Sequence, residues 1–245
     1  MQNINKNIEV SGFETMAESM EFADNYNNWI LGKFKNYMGK NLMEIGTGQG
    51  NFKKYVSSHV SSYTSLDIDE DVIRRAKERD PRGNYLVADI SASNFATLLK
   101  DYKLNSIICL NVLEHVPDHK AGINNMLDVL EKEGHLLLFV PAFKGLYNDL
   151  DKLAGHLRRY RKKDVNALIA HRNDIEIIYN EYFNPVGGFG WWLNKLKKHE
   201  NINSKNVNTQ VLFFDKYVVP FSKFFNFFTN PFFGQSLYCV IKKIN

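Results

Sequence analysis

Short apolar runs recur along the first 140 residues at intervals of roughly 20, each closing on polar or glycine positions. Runs near 42–45, 62–67, 84–87, 106–110 and 135–140 have the length and residue types of strands. The stretches between them carry helical spacing, as in DEDVIRRAKER, which reads as a helix starting near Asp69. Strands alternating with helices predict βαβ units, and so a doubly wound α/β fold built on a mostly parallel sheet. HLLLFV, in the fifth run, is apolar at every position but its histidine, as expected of a strand covered on both faces. A helix over 163–171, a sixth strand over 175–182 and a seventh over 236–243 follow, and we find no internal repeat.

About 50 residues, 184–234, separate the last two strands, far more than a hairpin needs. Residues 211–233 within them hold nine of the chain's 18 phenylalanines. Phe214, Tyr217, Val218, Phe221, Phe224, Phe225 and Phe228 recur at three- and four-residue steps and form one stripe, although Pro220 should break or kink a helix there. Packed as a lid on the sheet, the stripe would be core. Turned outward, with Lys216 and Lys223 beside it, it would suit an apolar substrate or a lipid surface. We expect a single domain over 1–245, with an N-terminal helical cap over 1–40 and an insertion over 184–234.

The first strand runs into LMEIGTGQGNF, which places Glu44 and three alternate glycines, Gly46, Gly48 and Gly50, before a helical pattern. Such a turn can pass through positive φ and admit a nucleotide-type ligand close to the backbone. The dinucleotide fingerprint G-x-G-x-x-G would need its third glycine at position 51, where Asn51 stands, so the spacing counts against a nicotinamide site. Asp67 ends the second strand, where a carboxylate can accept both hydroxyls of a ribose. Asp69 and Asp71 read instead as helix-capping residues. Asp89 and Ile90 close the third strand, where a carboxylate beside an apolar residue could take an adenine amino group and cover its face. The fourth strand runs into NVLEHVPDH. In an open α/β sheet these carboxyl ends are where ligands bind.

LMEIGTGQG, LDID, VADI and CLNVLEHVPD, at four successive strand ends, resemble the class I S-adenosylmethionine-dependent methyltransferases. FADNYNNWI upstream and VPAFKGLYNDLDKLAGHLRRYRK downstream are similar to the bacterial small-molecule branch of the type 11, 12 and 23 domain group. The resemblance spans about residues 14–180 and thins beyond 185. It implies a seven-stranded sheet whose last strand inserts antiparallel, and S-adenosylmethionine as cofactor. By the same resemblance Glu44, with the backbone of Gly46, Thr47, Gly48 and Gly50, would hold the methionine part. Asp67 and Ile68 would hold the ribose, and Asp89 and Ile90 the adenine. Asn111, Val112 and Leu113 would line the sulfonium side, and Tyr26 and Trp29 would close over the cofactor, unless they are packing anchors of an amphipathic helix.

Methyl transfer to oxygen or nitrogen needs a group that removes a proton, typically His, Asp or Glu. His115, at the end of the fourth strand, and His156, after the fifth, are the candidates, with Asp151 placed to orient His156. His156 is the first choice, although a structural role for it fits equally. Arg158, Arg159 and Tyr160 would suit capture of a phosphate or carboxylate on the acceptor. If they do not, these arginines and Arg161 are simply a solvated helix start, and Glu114 and His115 only fix their loop.

Charge divides the chain. Residues 1–140 carry 15 Lys and Arg against 19 Asp and Glu, and residues 141–245 carry 16 against 8. A basic half tilts the partner toward an anion such as a phosphate, carboxylate or acidic lipid. Nucleic acid is disfavoured, because NVLEHV stands where base methylation would call for Asn or Asp followed by Pro-Pro-aromatic. Cys109 and Cys239 each sit in an apolar run and read as buried free thiols of a reducing compartment, with no metal cluster. MQNINKNIEV lacks the pattern of a secretory signal, and no apolar stretch approaches the length of a membrane span, so a cytoplasmic location is expected, with peripheral membrane contact open. These observations favour a methyltransferase acting on a quinone precursor, lipid-linked intermediate or glycan component. A nicotinamide oxidoreductase and a cofactor-binding protein without catalysis remain the alternatives.

Overall fold

The computed structural model describes residues 23–48, 50, 52–56, 60–194 and 211–245. Seven strands form one sheet: β1 (Asn41–Ile45), β2 (Ser62–Asp67), β3 (Asn84–Val87), β4 (Leu104–Leu110), β5 (Leu130–Pro141), β6 (Ile175–Phe183) and β7 (Ser236–Lys243). Their order is β3-β2-β1-β4-β5-β7-β6. The pairs from β3 to β5 are parallel, and β7 enters antiparallel between β5 and β6. Both the doubly wound class and the antiparallel seventh strand match the expectation. β5 begins five residues earlier than its apolar core, because Glu131, Lys132 and Glu133 extend it as an exposed stretch with Glu133 at φ 65°.

Alternation along the central strands feeds two cores. Ile107 and Cys109 of β4 and Leu136, Leu138 and Val140 of β5 pack with α3 (Phe95–Leu99), α4 (His119–Asp128) and α6 (Lys162–Ile169). Ile108, Leu110, Leu137 and Phe139 point the other way, onto α1 (Asp24–Phe34) and Val219. Cys109 and Cys239 are both buried and free. The remaining helices are α2 (Glu70–Arg79), α5 (Asp149–Leu153), α7 (Pro185–Asn194) and α8 (Val219–Thr229). Asp69 caps α2, accepting from the amides of Asp71 and Val72, so its carboxylate is spent on the helix as read from sequence.

The expected cap over 1–40 and insertion over 184–234 lie partly outside the described residues. Within the insertion, Pro220 does not break the helix. It falls in the first turn of α8, directly after a π-helical turn at Phe214–Val218, where the wider backbone loop relieves the missing N–H. α1 starts from Ala23, which offers no capping side chain. Asp215 supplies the acceptor from 190 residues away: its carboxylate takes the amides of Asn25 at 3.0 Å and Tyr26 at 2.7 Å. An anion at this helix N-terminus satisfies otherwise orphaned donors and complements the dipole.

Phe214, at the start of the aromatic stripe, packs against Tyr26 at 5.8 Å, but most of the stripe turns outward. The face of α8 turned inward carries Val219, Ser222 and Asn226, while Phe221, Phe224, Phe225, Phe227 and Phe228 face outward. Period alone located the stripe. Which way it points was decided by hydrogen bonds that pull the polar side inward: Ser222 Oγ donates to Asn184 Oδ1 at 2.7 Å, and the Asn184 amide donates to Asn226 Oδ1 at 2.9 Å.

Candidate active site

The turn after β1 passes Gly46 at φ 72° and Gly48 at φ 49°, a region that disfavours any Cβ. At Gly46 a second constraint acts, since an added Cβ would lie 2.2 Å from Val112 Cγ2. Val112 sits after β4, so this glycine locks two strand-end loops together. At Gly48 and Gly50 an added Cβ would meet nothing within 4 Å. That side of the turn is open, leaving room for a ligand close to the backbone.

Glu44 is buried beneath the turn, and its Oε2 accepts from Thr47 Oγ1 and from the Tyr63 hydroxyl, both at 2.7 Å. Burial raises its carboxyl to about 7, with the Tyr63 and Thr47 hydrogen bonds opposing the rise. A folded value above the ordinary 4.5 means that its stabilising contribution is complete below the ordinary value and is lost as pH climbs from about 4.5 to about 7, on the order of 3 kcal/mol. Glu44→Gln is therefore expected to flatten the stability–pH curve across that window. Denaturant titrations near pH 5 and near pH 7 check this, and identical pH slopes in both proteins would remove the assignment.

Asp67 Oδ2 accepts from the Gly48 amide at 3.2 Å and Oδ1 from the Asp69 amide at 3.1 Å, so this carboxylate also holds the turn in shape. Ile68 beside it is 66% exposed, available to cover a bound ring. Asp89 accepts from the amide and hydroxyl of Ser91. Asn111 holds φ 53° while its amide donates to the Phe139 carbonyl at 2.8 Å, a left-handed position that asparagine tolerates. Glu44, Asp67, Asp89 and Asn111 thus stand at the carboxyl ends of β1–β4, on neighbouring strands.

Four other expected cofactor residues sit differently. Ile90 is core, against the position of Gly122, and Leu113 is fully buried. Their side chains can brace the site but present no surface to it. Tyr26 is buried among Trp29, Phe183 and Phe214, and Trp29 lies over Phe183 at 3.9 Å between centroids. Both are packing anchors of α1, as the spacing allowed.

After β5, Asn148 and Asp151 form a capping box that starts α5 and turns the Asp151 carboxylate inward. There it accepts from His156 Nδ1 at 2.8 Å, Arg159 Nε at 2.8 Å, Trp191 Nε1 at 3.3 Å and the Asn148 amide at 3.0 Å. Burial would raise its carboxyl, but the His156 hydrogen bond and the Arg159 charge outweigh it and hold the group below its ordinary value. The other ring nitrogen of His156, Nε2, faces Glu114 Oε1 at 3.8 Å, and the His115 ring stands 4.9 Å from it. Glu114 is fully buried, and neither of its carboxylate oxygens has a hydrogen-bond partner among the described residues. Burial raises it to about 8, and the Asp151 charge adds to the rise. Burial also lowers His115, reinforced by His156. Glu114, His115 and His156 each bring one ligand atom within 4.8 Å of the others, a donor set able to hold a proton or a metal ion.

Of the expected acceptor-binding residues, Arg159 and Tyr160 are turned into the protein. Arg159 is buried, spent on Asp151 and on the Ala142 carbonyl at 3.0 Å, and lies 5.0 Å from the Trp191 ring. Tyr160 is core, its hydroxyl donating to the Leu113 carbonyl at 3.0 Å and meeting His119 Nδ1 at 2.9 Å. Arg158 reaches the Val116 and Pro117 carbonyls. Together they tie the segment after β5 to the loop after β4. A charged string in sequence does not show that its partners are the chain's own carbonyls. Trp191 escaped the sequence reading, its one signal being the GFGWW run inside the insertion.

Comparison with known proteins bears on the fold that carries this site. Residues 43–138 match the family model described as a methyltransferase domain. The chain is 30% identical over 103 residues to trans-aconitate 2-methyltransferase of Agrobacterium fabrum, covering 41% of this chain and 38% of that protein. It is 29% identical over 103 residues to ubiquinone biosynthesis O-methyltransferase of Coxiella burnetii, covering 40% and 42%. These alignments thus span about two fifths of the curated relatives. Among solved structures, the N-methyltransferase NodS of Bradyrhizobium japonicum bound to S-adenosyl-L-homocysteine superposes with a TM-score of 0.54 at 15% identity, over 91% of this chain and 88% of that one. A methyltransferase from Archaeoglobus fulgidus gives 0.54 at 15% identity over 88% and 92%. Residues 43–138 thus resemble a methyltransferase domain, and the seven-stranded sheet has the fold of the solved S-adenosylmethionine-dependent methyltransferases. The Bradyrhizobium neighbour holds S-adenosyl-L-homocysteine, and in this chain the turn beside Glu44 and Asp67 leaves open room next to the backbone.

Proposed function

We propose that this protein transfers the methyl group of S-adenosylmethionine to an oxygen or nitrogen of a small anionic, partly apolar acceptor, such as a quinone precursor, a lipid-linked intermediate or a glycan component, in the cytoplasm or at a membrane periphery. One observation carries the reading: the Asp151–His156 pair meets Glu114 in the loop that follows β4, and Val112 of that loop abuts the glycine turn. The pair read here as base and the turn read here as cofactor cradle therefore border the same loop. When bound, the cofactor supplies an electrophilic methyl on a sulfonium. The turn and the strand ends orient it, and His156, aligned by Asp151, takes the acceptor's proton. The named relatives support the acceptor class, since one is a methyltransferase of a small organic acid and the other an O-methyltransferase of quinone biosynthesis. So does the excess of basic residues after residue 140.

Calorimetry is expected to show binding of S-adenosylmethionine and its demethylated product but not of NAD. Asp67→Ala should weaken that binding at least tenfold, because two charge-assisted hydrogen bonds worth about 1.5–3 kcal/mol each are lost. NAD binding in place of S-adenosylmethionine would overturn the proposal. Unchanged affinity in the variant would overturn the ribose assignment. Transfer of labelled methyl across a panel of anionic acceptors then identifies the substrate.

A further inference from the structure

α8 is amphipathic in the wrong sense for a helix on a protein surface in water. Its buried face is Val219, Ser222 and Asn226, and its outer face is phenylalanine: Phe221 58% exposed, Phe224 64%, Phe227 79% and Phe228 60%. Phe232, just beyond the helix, is 77% exposed. The rings meet one another edge to face, Phe224 with Phe228 at 5.8 Å and Phe227 with Phe228 at 5.1 Å, leaving their outer sides bare. Exposed apolar surface on this scale marks an interaction site. Polar side chains do the work of attachment to the domain, through the Ser222 and Asn226 bonds to Asn184, and Asp215 anchors the preceding turn to α1.

We propose that this face of α8 docks the protein onto an anionic lipid surface. Charge selects lipid over a second copy of the chain. Along residues 211–234 the charged side chains are Lys216 and Lys223, both exposed beside the rings, and Asp215, which is buried on α1. Two such faces pressed together would set lysine against lysine, whereas acidic headgroups would neutralise them while the rings enter the acyl boundary. No helix among the described residues is long and apolar enough to cross a membrane, so α8 would lie in the interface plane. The inference shares its peripheral location with the proposed function, and it rests on that reading only for what the docked protein methylates.

The full chain is mixed, without cofactor or acceptor, with vesicles of phosphatidylcholine alone or of an equal mixture with phosphatidylglycerol, and bound protein is separated by sedimentation. Binding to the mixed vesicles, weakened by salt and nearly absent on the neutral ones, is expected. The combined Phe224→Ser, Phe227→Ser and Phe228→Ser variant should lose on the order of a hundredfold in vesicle affinity. It should keep its circular dichroism and its affinity for the demethylated cofactor. Lys216→Gln with Lys223→Gln should erase the preference for anionic vesicles. The proposal falls if the native protein ignores both vesicles or if the phenylalanine variant binds as well as native. It also falls if the native protein is a dimer that the same variant dissociates. None of these readings involves methyl transfer, so failure of the acceptor assignment would leave them intact.

Discussion

Replacing His156 by alanine is expected to lower turnover by about 10²–10⁴-fold while cofactor affinity stays at its native value. The imidazole is held by Asp151 through Nδ1, leaving Nε2 on the side of Glu114, with the ring half-buried between the segment after β5 and the loop after β4. Nε2 is thus the ring nitrogen that Asp151 does not engage. Among the described residues the ring meets Asp151, Glu114 and His115, none of them assigned to the cofactor, so removing it should leave that assignment undisturbed. Single-turnover rates with saturating cofactor, read beside calorimetry of the demethylated product, separate the two effects. Native turnover in the variant would exclude His156 as the base. A loss of turnover that only parallels a fall in melting temperature would assign it to structure.

Asp151→Ala should be the most destabilising single change near the site. The carboxylate is fully buried and serves four donors: the His156 ring, the Arg159 guanidinium, the Trp191 indole and the Asn148 amide. Its removal leaves Arg159, itself buried, without its counter-charge, and breaking a buried pair from one side costs about 3–5 kcal/mol. For a chain of this length that is a fall of roughly 6–20 °C in melting temperature. The folded carboxyl lies below its ordinary value, so its contribution is complete above that value and is lost as pH falls through the depressed one. The difference between native and variant should therefore be full near neutral pH and shrink below about pH 4. A difference that held constant into acid would show that packing, not charge, is what the alanine removes.

The strands were legible because local pattern and burial agree in them. Runs such as HLLLFV are apolar on both faces since β5 is covered by helices on both sides, and no other partner could reverse that reading. The glycine turn was legible too, although one of its reasons was hidden: Gly46 is required by Val112, 66 positions further along, as well as by its own φ. Tyr160 and Arg159 were misread because a polar residue's partner is invisible in sequence. Their hydroxyl and guanidinium are consumed by the Leu113 carbonyl and by Asp151 and the Ala142 carbonyl. Trp191 joins the site only because α7 passes beside α5.

By itself the chain determined which segments become strands, their order along it, and the glycines that let the turn after β1 pass through positive φ, because these follow from period and from steric limits that act within a few residues. Tertiary structure alone decided that Asp151, His156 and Glu114 meet, that Asp215 caps a helix 190 positions earlier, and that the phenylalanine face of α8 turns outward. Each of those outcomes depends on which distant donor or acceptor becomes available once the sheet has closed, and short-range pattern carries no record of that.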